Sequence, residues 1–171
     1  MAKKILKKSK TKVTAKKKVL AIPKGFHTAT PYLTVRNGVN ALEFYKKAFG
    51  AKEIGRIAMG PDKIGHAEIQ IGDSKIMLAD EFPEWGNKGP ETIGGSPVGI
   101  CLYVKDVDSS FKKAVDAGAT VIKPVSDQFY GDRSGLLKDP FGHMWTIATH
   151  QEDISFKELQ KRSDKMMNEM K

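Results

Sequence analysis

Shifted by 68 residues, the chain lands on itself: Val39 meets Val107, Gly50 meets Gly118, Ala51 meets Ala119 and Ile54 meets Ile122. Each half predicts a strand, a helix and then three strands. In the first half, "TPYLTVRN" is a short alternating strand. "GVNALEFYKKAFGA" follows, with Ala41, Leu42, Tyr45 and Phe49 at helical spacing, Asn40 as cap and Gly50 as stop. "KEIGRIAMG", "KIGHAEIQIG" and "SKIMLAD" are three strands, the last two joined by a Gly72–Asp73 hairpin turn. The second half repeats the plan with "VGICLYVK", then "DVDSSFKKAVDAGA" capped at Asp106 or Asp108 and stopped at Gly118, then "TVIKPV", "RSGLLK" and "HMWTIATH". Two copies with so long a period give a duplicated βαβββ unit, an α+β fold, and exclude a solenoid of many short repeats. Module one is expected over residues 26–81, a linker over 82–97 and module two over 98–151, within a domain spanning 25–151.

Charge separates the ends from this core. The net charge is +9, but residues 1–24 hold ten lysines and no acid, so the other residues sum to +9 − 10 = −1. Residues 1–24 are therefore expected to form a disordered tail, at least up to Lys18. Such a tail solubilises the chain or makes weak, non-specific nucleic-acid contact through phosphate charges. No apolar run approaches the roughly 20 residues of a membrane span. The single cysteine, Cys101, cannot form an internal disulfide and fits a reducing, cytoplasmic setting. Residues 152–171 predict a C-terminal helix capped at Ser155, with Phe156, Leu159, Met166 and Met170 as a partial apolar stripe. That helix is expected to cross a dimer partner or to fray.

"EFYKKAFGA", "DSKIMLADE", "VKDVDSSFKKAVDAGATV" and above all "YGDRSGLLKDPFGHMWTIATH" resemble the vicinal-oxygen-chelate superfamily, over about Phe26 to Gln151. That group includes glyoxalase I, the bleomycin-resistance proteins and the extradiol dioxygenases, and the resemblance is to its glyoxalase-like, PhnB-like branch. It implies two βαβββ modules curled into an eight-stranded mixed-sheet cup, a homodimer, and a small molecule or metal inside. It also places the family's metal-ligand positions at Thr30, Leu78, Gly99 and Thr146. None is a usual ligand, because a divalent site needs three or more N, O⁻ or S⁻ donors. The expectation is therefore no metal and no cofactor. The "DPFGH" turn is expected to be structural, with Asp139 capping it, Arg133 paired with Asp132 or a nearby carboxylate and His143 facing solvent.

Strand alternation then assigns the inner wall. Thr30, Tyr32 and Thr34 face it from the first strand, His66, Glu68 and Gln70 from "GHAEIQIG", and Gly99, Cys101 and Tyr103 from the fifth. Met144, Thr146, Ala148 and His150 share that face on the last strand, leaving Trp145 and Ile147 in the core. Trp85, beside Phe82 in the long linker, is a candidate lid, and Tyr130, beside Phe129, a candidate wall. Two functions of different class follow. One is a small-molecule-binding protein that sequesters a partly aromatic ligand among Thr30, Tyr32, Gln70, Asp80, Trp85, Cys101, Tyr103, Tyr130, Met144 and Thr146. The other is a lyase-, isomerase- or dioxygenase-like enzyme. In it His66, polarised by Glu68, is the catalytic base, or the two join Asp80 in a non-standard metal site.

Overall fold

The computed structural model describes residues 19–169, so the disorder expected up to Lys18, and Met170 of the expected apolar stripe, lie outside the described residues. Module one runs β1 (Tyr32–Val35), α1 (Gly38–Phe49), β2 (Lys52–Ala58), β3 (Ile64–Ile71) and β4 (Ser74–Asp80). A linker carries a one-turn helix, α2 (Pro90–Ile93). Module two runs β5 (Gly99–Tyr103), α3 (Val107–Asp116), β6 (Thr120–Asp127), β7 (Asp132–Lys138) and β8 (Met144–His150), followed by α4 (Phe156–Glu169). Each module makes its own sheet, ordered β1-β4-β3-β2 and β5-β8-β7-β6, with only the first pair of each parallel. The mixed sheets stay open, and no hydrogen-bonded ladder joins β1 to β5. No helix among the described residues is long and apolar enough to cross a membrane.

The helices begin and end where local chemistry tells them to. Asn37, in the left-handed region at φ 66°, caps α1 by accepting from the Asn40 amide at 3.1 Å. The expected cap was Asn40; the cap lies three residues earlier because Asn40 supplies the N–H, not the acceptor. Gly50, at φ 65°, closes the helix by donating to the Lys46 carbonyl. Asp106 caps α3 by accepting from Ser109 N.

The apolar faces of both sheets and of α1 and α3 form one core. Ala67, Ile69 and Ile71 point into it and alternate with half-exposed His66, Glu68 and Gln70. Trp145 is fully buried, 4.5 Å from the Phe49 ring and 5.6 Å from Tyr45.

With no strand pairing between modules, two polar ties across the joint accompany this core, one at Asp139 and one at His143. Asp139 Oδ1 accepts from the Phe141 and His143 amides, both at 2.9 Å. Its Oδ2 accepts from Tyr45 Oη of module one at 2.8 Å and from Trp145 Nε1 at 2.9 Å. Burial, followed by the Asp139 charge, raises the Tyr45 phenol well above its ordinary value, so it stays a donor. The second tie is His143, expected in solvent but buried; its Nε2 lies 3.0 Å from the Thr34 carbonyl on β1's unpaired edge.

Candidate functional site

Register fixes which side chains share the inner face of module one. Tyr32 and Thr34 lie beside Met77 and Ala79 of β4, and Glu68 lies opposite Met77. Tyr32 Oη is 2.9 Å from His66 Nδ1, with the rings edge to face. His66 Nε2 is 3.8 Å from Glu68 Oε1, an ion-pair distance too long for a hydrogen bond. Glu68 also meets the Lys75 ammonium at 3.4 Å, and Lys75 covers the Phe26 ring at 4.1 Å. When Tyr32 donates to Nδ1, the ring proton resides on Nε2. Lys75 escaped sequence reasoning, although its place opposite Gln70 across a two-residue hairpin assigns it to this face.

Two expectations for module one need correction. Asp80 is buried on the helix side, where its carboxylate accepts from the amides of Gly38, both oxygens at 3.0 Å, and of Ile64 at 2.7 Å. It fastens the start of α1 to β3 and does not join His66 and Glu68. The run Ile76–Leu78–Asp80 carries all three to one face, so the family's ligand position at Leu78 also points into the core. Gln70 spends its amide on the Gly72 carbonyl at 3.0 Å, tying down the hairpin.

Module two presents a different cluster. Tyr103 Oη donates to Asp132 Oδ2 at 2.9 Å, and His150 Nδ1 lies 2.7 Å from Asp132 Oδ1. The other His150 nitrogen is 3.1 Å from exposed Asp153. The hydrogen bond to Asp132 pushes the Tyr103 phenol up to about 12. The same carboxylate, then Asp153, raises the His150 imidazole and favours its cation. Cys101 opens to the surface, yet desolvation by the walls around it, then the Asp132 charge, raise its thiol. It is therefore a thiol at neutral pH and a poor nucleophile. Arg133 pairs with Asp108 and Asp127 on the far side.

The expected ligand residues are divided among several hollows. Thr30, Tyr32 and Cys101 line a cleft of about 670 Å³ between β1 and β5, with Lys88, Pro90, Ile93 and Val98 of the linker region above them. Tyr32 also lines a hollow of about 470 Å³ in module one, with Met59 and Trp85. Trp85 stacks on Phe82 at 4.8 Å and leaves its other flank exposed. Tyr130 and Thr146 line a third hollow, in module two. Tyr103 stands beside His150 at a shallow rim, and Met144 pairs with Gly99 in the sheet register. Among the described residues, no three His, Cys, Asp or Glu side chains converge as a metal site. Threonine hydroxyls at 30 and 146, with no side-chain donor at Gly99, do not fit the family's metal either.

Glu81 pins the linker across β1. Its carboxylate accepts from Thr92 Oγ1, from Gly89 N at 3.0 Å and from Arg36 Nε at 2.8 Å. The Thr92 bond, helped by Gly89 and Arg36, holds the Glu81 carboxyl down at about 2 against an ordinary 4.5. Because the folded value is the lower one, this tie is fully present above about pH 4.5 and is lost as pH falls toward 2. Acid titration should thus loosen residues 86–95 before the core melts, seen as faster amide exchange there and a change in exposed Trp85 fluorescence. Glu81→Gln should show the loosened state already at pH 7. Equal exchange in that variant and the parent would refute the tie.

Three comparisons bear on this geometry. The model of the family described as "Glyoxalase/Bleomycin resistance protein/Dioxygenase superfamily" matches residues 26–147. The uncharacterized protein Rv0887c of Mycobacterium tuberculosis (strain H37Rv) is 43% identical over 135 residues, covering 77% of this chain and 79% of its own. The uncharacterized protein At5g48480 of Arabidopsis thaliana is 30% identical over 118 residues, 64% of this chain and 69% of its own. Its X-ray structure superposes with a TM-score of 0.59 at 29% identity, covering 72% of this chain and 98% of that one. The fosfomycin resistance protein FosX of Mesorhizobium loti shares the fold, with a TM-score of 0.54 at 17% identity over 77% of this chain and 95% of its own.

Proposed function

The chain belongs to the glyoxalase/bleomycin resistance protein/dioxygenase superfamily, and from that premise we propose that it sequesters a small, partly aromatic molecule without a resident metal ion. The cleft between β1 and β5 carries this reading. Its walls are mostly apolar, with the hydroxyls of Thr30, Tyr32 and Thr34 as a few orienting groups. The raised Cys101 thiol offers it no nucleophile. Exposed Ile57, Met59, Val98 and Tyr103 favour a homodimer that covers part of this apolar surface. The ten lysines of residues 1–24 suit weak phosphate contact, and the single cysteine suits a reducing cytoplasm.

Native mass spectrometry with Zn²⁺, Ni²⁺, Mn²⁺ or Fe²⁺ tests the reading. A dimer that ignores all four ions is expected. One stoichiometric ion per chain, lost in His66→Ala, would instead make this a metalloenzyme with a rewired site.

The 2.9 Å Tyr32–His66 bond favours a second reading, an enzyme whose His66 works as base through the Tyr32 phenol, with Glu68 polarising it. Any turnover found should then fall by about 10²-fold or more in His66→Ala. Unchanged turnover excludes this role.

A further inference from the structure

Past β8 the chain leaves the sheet through residues 151–155, which belong to no helix or strand and carry α4. The Gly131 carbonyl holds the start of this stretch, accepting from the Gln151 and Glu152 amides at 3.0 Å. Arg162 on α4 makes two 2.8 Å bonds to Glu152. No residue of the helix is buried, and Phe156, expected in its apolar stripe, is 90% exposed instead. With no buried side chain of its own, α4 depends on such ties, and it is among the first elements to open.

One further tie can be switched. His150, the last residue of β8, lies between two carboxylates: its Nδ1 is 2.7 Å from Asp132 Oδ1 and its Nε2 is 3.1 Å from Asp153 Oδ1. An ionised carboxylate only accepts, so both contacts are hydrogen bonds only while the ring carries two protons. A neutral ring keeps one proton and turns a lone pair toward the other carboxylate. Asp132 is buried, with Tyr103 Oη as its other donor, whereas Asp153 is fully exposed and water can replace its partner. The proton therefore stays on Nδ1 and leaves from Nε2. We propose that His150 is a pH-operated clasp, which bridges β7 to the segment carrying α4 as a cation and lets that segment go when Nε2 loses its proton.

The neighbouring groups leave this step to His150. On β5 the Asp132 hydrogen bond raises the Tyr103 phenol, and burial followed by the Asp132 charge raises the Cys101 thiol, so both stay protonated while the imidazole titrates. Tyr130 stands near Tyr103, Lys105 shares the shallow rim with His150, and Glu152 is held by Arg162. Asp132, then Asp153, raise the imidazole above its ordinary 6.5. The bridge is thus complete below about 6.5 and is lost as pH rises through the raised value.

The test is a titration of the full ¹⁵N-labelled chain from pH 5 to 9. Nitrogen shifts should show the neutral His150 ring with its proton on Nδ1. The Ile154 and Ser155 amide resonances should move with the same midpoint, and protection of amides 153–158, corrected for intrinsic exchange, should fall by about two- to fivefold. Asp153→Asn should abolish the amide step and leave the Nδ1 proton in place. His150→Gln should show no step. A neutral ring protonated on Nε2 overturns the clasp. So do Ile154 and Ser155 amides that ignore the His150 titration, or a step that persists in His150→Gln and so belongs to another histidine.

Discussion

Asp139→Ala is expected to lower folding stability by about 4 kcal/mol, the largest single loss available outside the apolar core. The carboxylate is buried and accepts four hydrogen bonds. Alanine leaves the Tyr45 hydroxyl and the Trp145 N–H buried without an acceptor, at about 1–3 kcal/mol each, and releases two turn amides as well. For a chain of this size the melting temperature should fall by about 10 °C. Asp139→Asn should lose less, because one oxygen still accepts from the turn amides, while its NH₂ opposes the Tyr45 and Trp145 donors. Urea midpoints for the two variants measure both effects. A loss under about 1 kcal/mol in the alanine variant would mean that water replaces the carboxylate.

Gly131→Ala comes second, at about 3 kcal/mol, because backbone strain and a clash with main chain add there. Gly131 has φ 91°, and an added Cβ would lie 2.5 Å from the Glu152 carbonyl and 2.9 Å from Ile154 Cδ1. The Gly131 carbonyl also accepts from the amides of Gln151 and Glu152, both at 3.0 Å. The variant must push residues 151–154 outward, carrying the base of α4 with them. Gly55→Ala is the control, since nothing lies within 4 Å of its added Cβ and its φ is ordinary. It should be neutral or slightly stabilising. Thermal melts that rank the two variants together would remove the clash as the cause.

The duplicated βαβββ plan and the inner face of β3 were legible because strand alternation is a local signal. Ala67, Ile69 and Ile71 announce a buried face without any partner strand. The expected grouping of Asp80 with His66 and Glu68 fails. The alternation Ile76–Leu78–Asp80 argues for the core, and only the unpaired amides of Gly38 and Ile64 explain a carboxylate there. The Asp132–His150 pair lay nearer to hand. With the turn after Lys138 returning at Met144, counting back six residues on each side sets Asp132 opposite His150. What no counting supplies is the arrangement of the modules. The division of the inner wall into separate hollows depends on α1 meeting α3 and on the unpaired edges of β1 and β5.

The joint between the modules also has a bearing on the order of events in folding. Within a module the contacts span shorter stretches of chain, from the hairpin that turns between Ile71 and Ser74 to the Tyr32–Met77 pairing of β1 with β4. Across the joint, Tyr45 reaches Asp139 over 94 residues and His143 reaches Thr34 over 109. Closing loops of that length costs chain entropy that only nearly finished modules can offset. The two halves should therefore form as local units and dock last, so that Tyr45→Phe speeds unfolding and leaves the refolding rate unchanged in stopped-flow experiments.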